Sequence, residues 1–163
     1  MLLNFISVTN KLSKWESEGV NYYSKQLPNY VSLNFEDIKS QQHPKRSVDE
    51  VVSLESKSIL SKLKDSEFTI SFDIKGESVS SEKFSQIIKS CIENNKKANF
   101  IIGGSFGLSD EILNSSNKII SISEMTFPHR LFKIILQTRY LQPLHHQNLS
   151  NFSLQVLYFP SLK

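Results

Sequence analysis

At 163 residues, 39% hydrophobic and 21% charged, the chain has the bulk of one domain that buries its own core rather than the make-up of a disordered segment. A single cysteine, Cys91, excludes an internal disulfide and a cysteine-built zinc site. A formal charge of +3 with a pI near 8.9 suits a nucleic-acid partner without requiring one. No apolar run reaches the roughly 20 residues that a bilayer helix needs. The apolar start also lacks the basic head and small-residue cleavage site of a secretory signal. The expectation is a cytoplasmic protein of one domain, residues 1–163, with no membrane partner.

In chain order, Leu2–Val8 is a short apolar run, broken by Asn4 and Ser7 and suited to a buried strand. Thr9 and Asn10 offer caps for a helix from about Leu12 to Gln26, which stops before Pro28. Tyr30–Ile38 alternates as a second strand, with Val31, Leu33 and Phe35 on one face. Lys39–Arg46 reads as an exposed loop. Ser47-Val48-Asp49-Glu50 then matches a capping box and opens a helix to about Lys64. Phe68–Ile74 is a third strand closed at Gly76, and Ser80 or Ser81 caps a helix through about Asn94 that takes Cys91 into its apolar pattern. Asn99–Ile102 is a fourth strand stopped by Gly103-Gly104. Ser109-Asp110-Glu111 starts a short helix, Lys118–Ser123 is a fifth strand, and Pro128 suits the first turn of a last helix. Strands separated by helices predict an α/β fold, a mainly parallel sheet flanked by helices on both faces.

Two segments carry potential chemistry. Gly103-Gly104-Ser105-Phe106-Gly107 follows a buried strand and precedes a helix, so a ligand at the carboxyl ends of the strands would meet it. GGxxG is neither the dinucleotide fingerprint nor the P-loop, and a tight turn needing positive φ explains it equally well. Ile122–His129 lies at the end of the next strand and converges on the same crevice. Glu124 there is either a base or a solvated loop residue, and His129 either a helix-start surface or hydrogen-bonded residue or a catalyst. Asp73 ends its strand beside the crevice, as a ligand contact or a turn cap. Adjacent His145 and His146 point apart on an extended chain, so no metal site is expected. Lys11, Lys14, Lys25, Lys45 and Arg46 are scattered cations able to touch phosphates or simply to stay solvated.

Four landmarks stand in register: Lys14-Trp15 with Gly19 and Tyr23; Ser71-Phe72-Asp73-Ile74-Lys75-Gly76; Ile101-Ile102-Gly103-Gly104 with Gly107; and Thr126-Phe127-Pro128-His129. In these the chain, to about Leu136, resembles the RlmH family of ribosomal-RNA methyltransferases, the smallest of the SPOUT methyltransferases. The resemblance implies a trefoil knot in the C-terminal half and a homodimer acting on N3 of a pseudouridine in 23S ribosomal RNA of the ribosome. It also implies a cofactor, S-adenosyl-L-methionine, held by Phe72, Gly103, Ile122, Ser123, Glu124, Met125, Thr126 and Phe127. Residues 137–163 depart from the family's ending, through Pro143, Tyr140 and the two histidines, so no catalytic residue is transferred. The departure reads either as a change of frame near codon 137 or as a divergent tail in which Leu154–Phe159 adds a strand. A cofactor-binding but inactive relative, and a plain nucleotide-binding α/β domain, are the competing classes.

Overall fold

The computed structural model describes residues 2–10, 12–27, 29, 31–64, 67–94, 97–122 and 129–136. Strands β1 (Leu2–Val8), β2 (Ser32–Ile38), β3 (Phe68–Ser78), β4 (Ala98–Ile102) and β5 (Lys118–Ser121) form one sheet, ordered β2-β1-β4-β3-β5 and parallel throughout. Helices α1 (Lys14–Ser24), α2 (Val48–Leu60), α3 (Ser81–Glu93), α4 (Asp110–Ser115) and α5 (His129–Ile135) connect or follow them. The expected α/β class with a parallel sheet between helices is what the chain adopts.

The two sheet faces carry two cores. On one, Phe5, Phe72, Phe84 and Phe100 pack with Ile88, Cys91 and Leu136, drawing in α3 and α5. Phe5 stacks between Phe35 and Phe100, with ring centroids 5.3 and 4.8 Å away. On the other face, Ile6, Val8 and Ile101 bury Ile59 of α2 and Ile112 of α4. Strand periodicity produces this division, because alternate side chains leave a strand on opposite faces. Cys91 is buried in the first core, as its helical pattern implies. Helix α1 packs against α5, and Gly19 permits the approach: a Cβ there would lie 3.0 Å from Ile134 Cδ1.

Local signals explain most helix starts. Ser47 accepts from the Glu50 N–H at 3.2 Å while Glu50 Oε2 accepts from the Ser47 N–H at 2.8 Å, the reciprocal capping box expected. Ser47→Ala is expected to lower stability by about 1 kcal/mol, seen as a reduced urea midpoint with an unchanged denaturant slope. The first helix corrects the expectation. Its cap is Ser13, not Thr9 or Asn10, because Glu16 reaches back to accept from both the N–H and the hydroxyl of Ser13, at 2.6 and 2.5 Å.

The third strand also runs further than Gly76. Phe72 and Glu77 both pair with Ile120, so residues 73–76 swing out of register before the strand resumes to Ser78. Such a bulge redirects side chains at the end of a sheet. Gly76 permits it by contact rather than by torsion, since a Cβ would sit 2.6 Å from the Ile120 nitrogen.

Candidate functional site

Helix α3 follows β3 on one face of the sheet, while α4 follows the adjacent β4 on the other. Loops leaving neighbouring strands toward opposite faces open a crevice at their carboxyl ends, where open α/β sheets bind ligands. A cleft of about 570 Å³ lies there, within the size range of small-molecule sites.

Its walls come from three loops. The swung-out segment after β3 contributes Asp73, Ile74 and Lys75; the turn after β4 contributes residues 103–107; the end of β5 contributes Ser121 and Ile122. Phe132 of α5 closes one side and meets Phe72 edge-on at 5.2 Å. Of the residues singled out from sequence, Phe72, Gly103 and Ile122 are brought together here. Ser123, Glu124, Met125, Thr126 and Phe127 lie outside the described residues, as do Pro128 and the tail with His145 and His146.

The glycine turn is held in two ways. The Gly107 N–H donates to the Gly104 carbonyl at 3.0 Å, and Gly107 takes φ +79°, a torsion that costs little only for glycine. Gly103 is needed for space: a Cβ there would stand 2.8 Å from the Gly107 carbonyl carbon and 2.9 Å from its oxygen. The tight turn expected from sequence is present, and the same turn lines the cleft. Asp73 caps the turn after its strand, its Oδ1 accepting from the Lys75 N–H at 2.9 Å, and it also lines the cleft.

The lining pairs an apolar slot (Phe72, Ile102, Ile120, Phe132) with two carboxylates, Asp73 and Asp110, against one ammonium, Lys75. Two carboxylates against one ammonium leave these lining groups with a net negative charge beside the apolar slot. Beyond Lys75 on the same strand, Glu77 accepts a hydrogen bond from the Lys83 ammonium of α3, which holds its exposed carboxyl below the usual carboxylate range. Among the described residues no group of three or more histidine, cysteine, aspartate or glutamate side chains is placed to hold a metal ion. No helix described is long and apolar enough to cross a membrane.

Sequence reasoning missed two residues beside the cleft. Lys133 is buried, its side chain 2% exposed, and pairs with Asp37, which also accepts from the Ser7 hydroxyl at 3.0 Å. A lysine in a short amphipathic helix gives no signal of such a partner 96 positions away. Glu55 of α2 is 3% exposed and abuts Gly104; its place between Leu54 and Ser56 in the sequence resembles any solvated helix position.

The crevice at the carboxyl ends of β3, β4 and β5 lies where open parallel α/β sheets bind their ligands. The family described as "Predicted SPOUT methyltransferase" matches residues 1–138, and the chain belongs to it. Among its relatives, the protein named Ribosomal RNA large subunit methyltransferase H from Clostridium botulinum (strain Kyoto / Type A2) is 38% identical over 141 residues, covering 83% of this chain and 89% of its own. The counterparts in strain 657 / Type Ba4, at 38%, and strain Okra / Type B1, at 37%, cover the same shares. The chain is thus a SPOUT methyltransferase similar to ribosomal RNA large subunit methyltransferase H proteins.

Proposed function

We propose that the chain is an S-adenosyl-L-methionine-dependent methyltransferase of 23S ribosomal RNA that modifies N3 of a pseudouridine. It does so as a cytoplasmic homodimer whose C-terminal half passes through a trefoil knot. The observation that carries this reading is the strand-end cleft that joins Phe72, Gly103 and Ile122 in a chain of this family. Ser123, Glu124, Met125, Thr126 and Phe127 are proposed to bind the cofactor together with Phe72, Gly103 and Ile122. No metal takes part, and no residue is assigned as the catalytic base.

When bound, S-adenosylmethionine supplies a methyl group made electrophilic by a sulfonium. The chain's own residues do the rest by placement. Phe72, Ile102, Ile120 and Phe132 form a slot that grips an apolar ring and excludes water. Asp73 and Asp110 give the cleft negative charge, which favours a cationic ligand. Gly103 and Gly104 let main chain, rather than side chain, approach the ligand. Holding methyl and ring nitrogen in line provides much of the rate gain, since well-oriented pairs reach effective molarities of about 10⁵–10⁸ M. The ring nitrogen must give up its proton as the new bond forms. In the homodimer the shared face supplies part of the RNA-facing surface.

Methyl transfer from labelled S-adenosylmethionine to ribosomes lacking the modification tests the reading. Label is expected in 23S RNA at a pseudouridine, and a uridine at that position is expected to remain unlabelled. One observation favours a second reading, a donor-binding chain without turnover. The family match ends at residue 138 and leaves 139–163 outside it. Donor binding with no label in RNA is the result that selects this alternative.

A further inference from the structure

Among the described residues, one buried side-chain polar atom has no hydrogen-bond partner, Oε2 of Glu55. Leaving such an atom unpaired is costly, so its surroundings matter. The other oxygen, Oε1, accepts from the Gln41 N–H at 2.8 Å and the Ser40 hydroxyl at 3.2 Å, both in the loop between β2 and α2. Oε2 faces Gly104. A Cβ built on that glycine would lie 2.7 Å from it, so the Cα hydrogen standing in that direction points at the carboxylate. Carbon-bound hydrogens of this kind are weak donors. Gly104 itself lines the cleft and accepts the hydrogen bond that closes the glycine turn. One carboxylate therefore touches two loops: the glycine turn, and a loop whose exposed residues include Lys39, Lys45 and Arg46.

The basic loop is itself ordered around the residue that Glu55 holds. Arg46 Nη1 donates to the Gln41 carbonyl at 2.8 Å and to its side-chain oxygen at 3.0 Å. A shift of Gln41 therefore moves a guanidinium on the outside and the Glu55 carboxylate on the inside. Val8 bounds the same spot, with its Cγ1 3.0 Å from the added Cβ of Gly104, so the turn has little room to drift.

We propose that Glu55 is a positioning residue of the methyl-donor cleft, which fixes the glycine turn from behind and ties it to the basic β2–α2 loop. It does not touch the ligand; it sets where the Gly104 main chain stands. The effect on donor affinity rests on the proposed methyl-donor function, whereas the effect on the turn does not. The test compares Glu55→Ala, Glu55→Asp and Glu55→Gln in the full chain by amide hydrogen exchange and by titration with S-adenosylmethionine. Glutamine keeps an acceptor for Ser40 and Gln41 but turns an NH2 toward the Gly104 Cα hydrogen, so it is expected to speed exchange at Gly107 while the Gln41 amide stays protected. Alanine, and aspartate with its shorter arm, are expected to speed exchange of the Gln41 and Gly107 amides by about tenfold or more, while strand amides of β1 and β4 stay protected. Both are expected to weaken the donor by about tenfold. If the alanine chain does not fold, the aspartate chain decides on the same readouts. Unchanged exchange at Gly107, with exchange at Gln41 accelerated, overturns the proposal even if the donor reading also fails. A parent that binds the donor and an aspartate variant that binds it equally well overturn it too.

Discussion

Asp37→Ala lowers the unfolding free energy by about 3 kcal/mol, and Lys133→Met lowers it by about 1 kcal/mol. The asymmetry follows from exposure. The Lys133 side chain is 2% exposed and Asp37 is 40% exposed. Removing Asp37 leaves the buried Lys133 ammonium, 5.7 Å from the Phe35 ring centroid, without its carboxylate. Removing the ammonium leaves a carboxylate that still accepts from Ser7 and reaches water. Methionine also keeps most of the apolar stem over Phe35. Urea denaturation followed by far-ultraviolet dichroism measures the difference, with the slope unchanged if the transition remains two-state. Equal losses would mean that the buried cation is no more dependent on its partner than the reverse. The pair also bears on the site, because Phe132, the neighbour of Lys133 in α5, forms a wall of the cleft.

Gly103→Ala is expected to lose donor binding by at least about a hundredfold while unfolding only about 1–3 kcal/mol more easily. The added methyl meets main-chain atoms of Gly107 at 2.8 and 2.9 Å and Leu108 Cγ at 3.0 Å. Main chain cannot swing aside as a side-chain tip can, so the turn from 103 to 107 must open. That moves several cleft-lining residues together, whereas the strands beneath remain paired through Ile102. Calorimetric titration against S-adenosylmethionine, beside a thermal melt of the same sample, separates the two effects. A variant that melts early yet binds normally would show that the turn is structural only.

Much of the frame was legible in the sequence because its causes are local. Alternation in Val31, Leu33 and Phe35, the Ser47–Glu50 box, and the apolar run into Gly103 each act within a few residues. They put the strands, helices and glycine turn where the structure has them. What was not legible depends on register between distant strands. Asn4 looked like a flaw in an apolar strand, yet β1 pairs it with Asn34 and Asn99, and the three amides bond across the sheet at 2.7 and 3.1 Å. The excursion after Phe72 and the pairing of Lys133 with Asp37 likewise need the strand order β2-β1-β4-β3-β5, which no periodicity contains. For the site, Phe72, Gly103 and Ile122 were found through family landmarks and meet in the cleft. Glu55 escaped because nothing in its helix distinguishes a carboxylate facing solvent from one facing a glycine.

Titration calorimetry of the full chain with S-adenosylmethionine, run beside the Gly103→Ala variant, addresses the central claim most directly. Saturable binding of one donor per chain, lost in the variant, is the expected result. No heat of binding to the parent, or equal binding to both proteins, would contradict a methyl-donor site at the glycine turn.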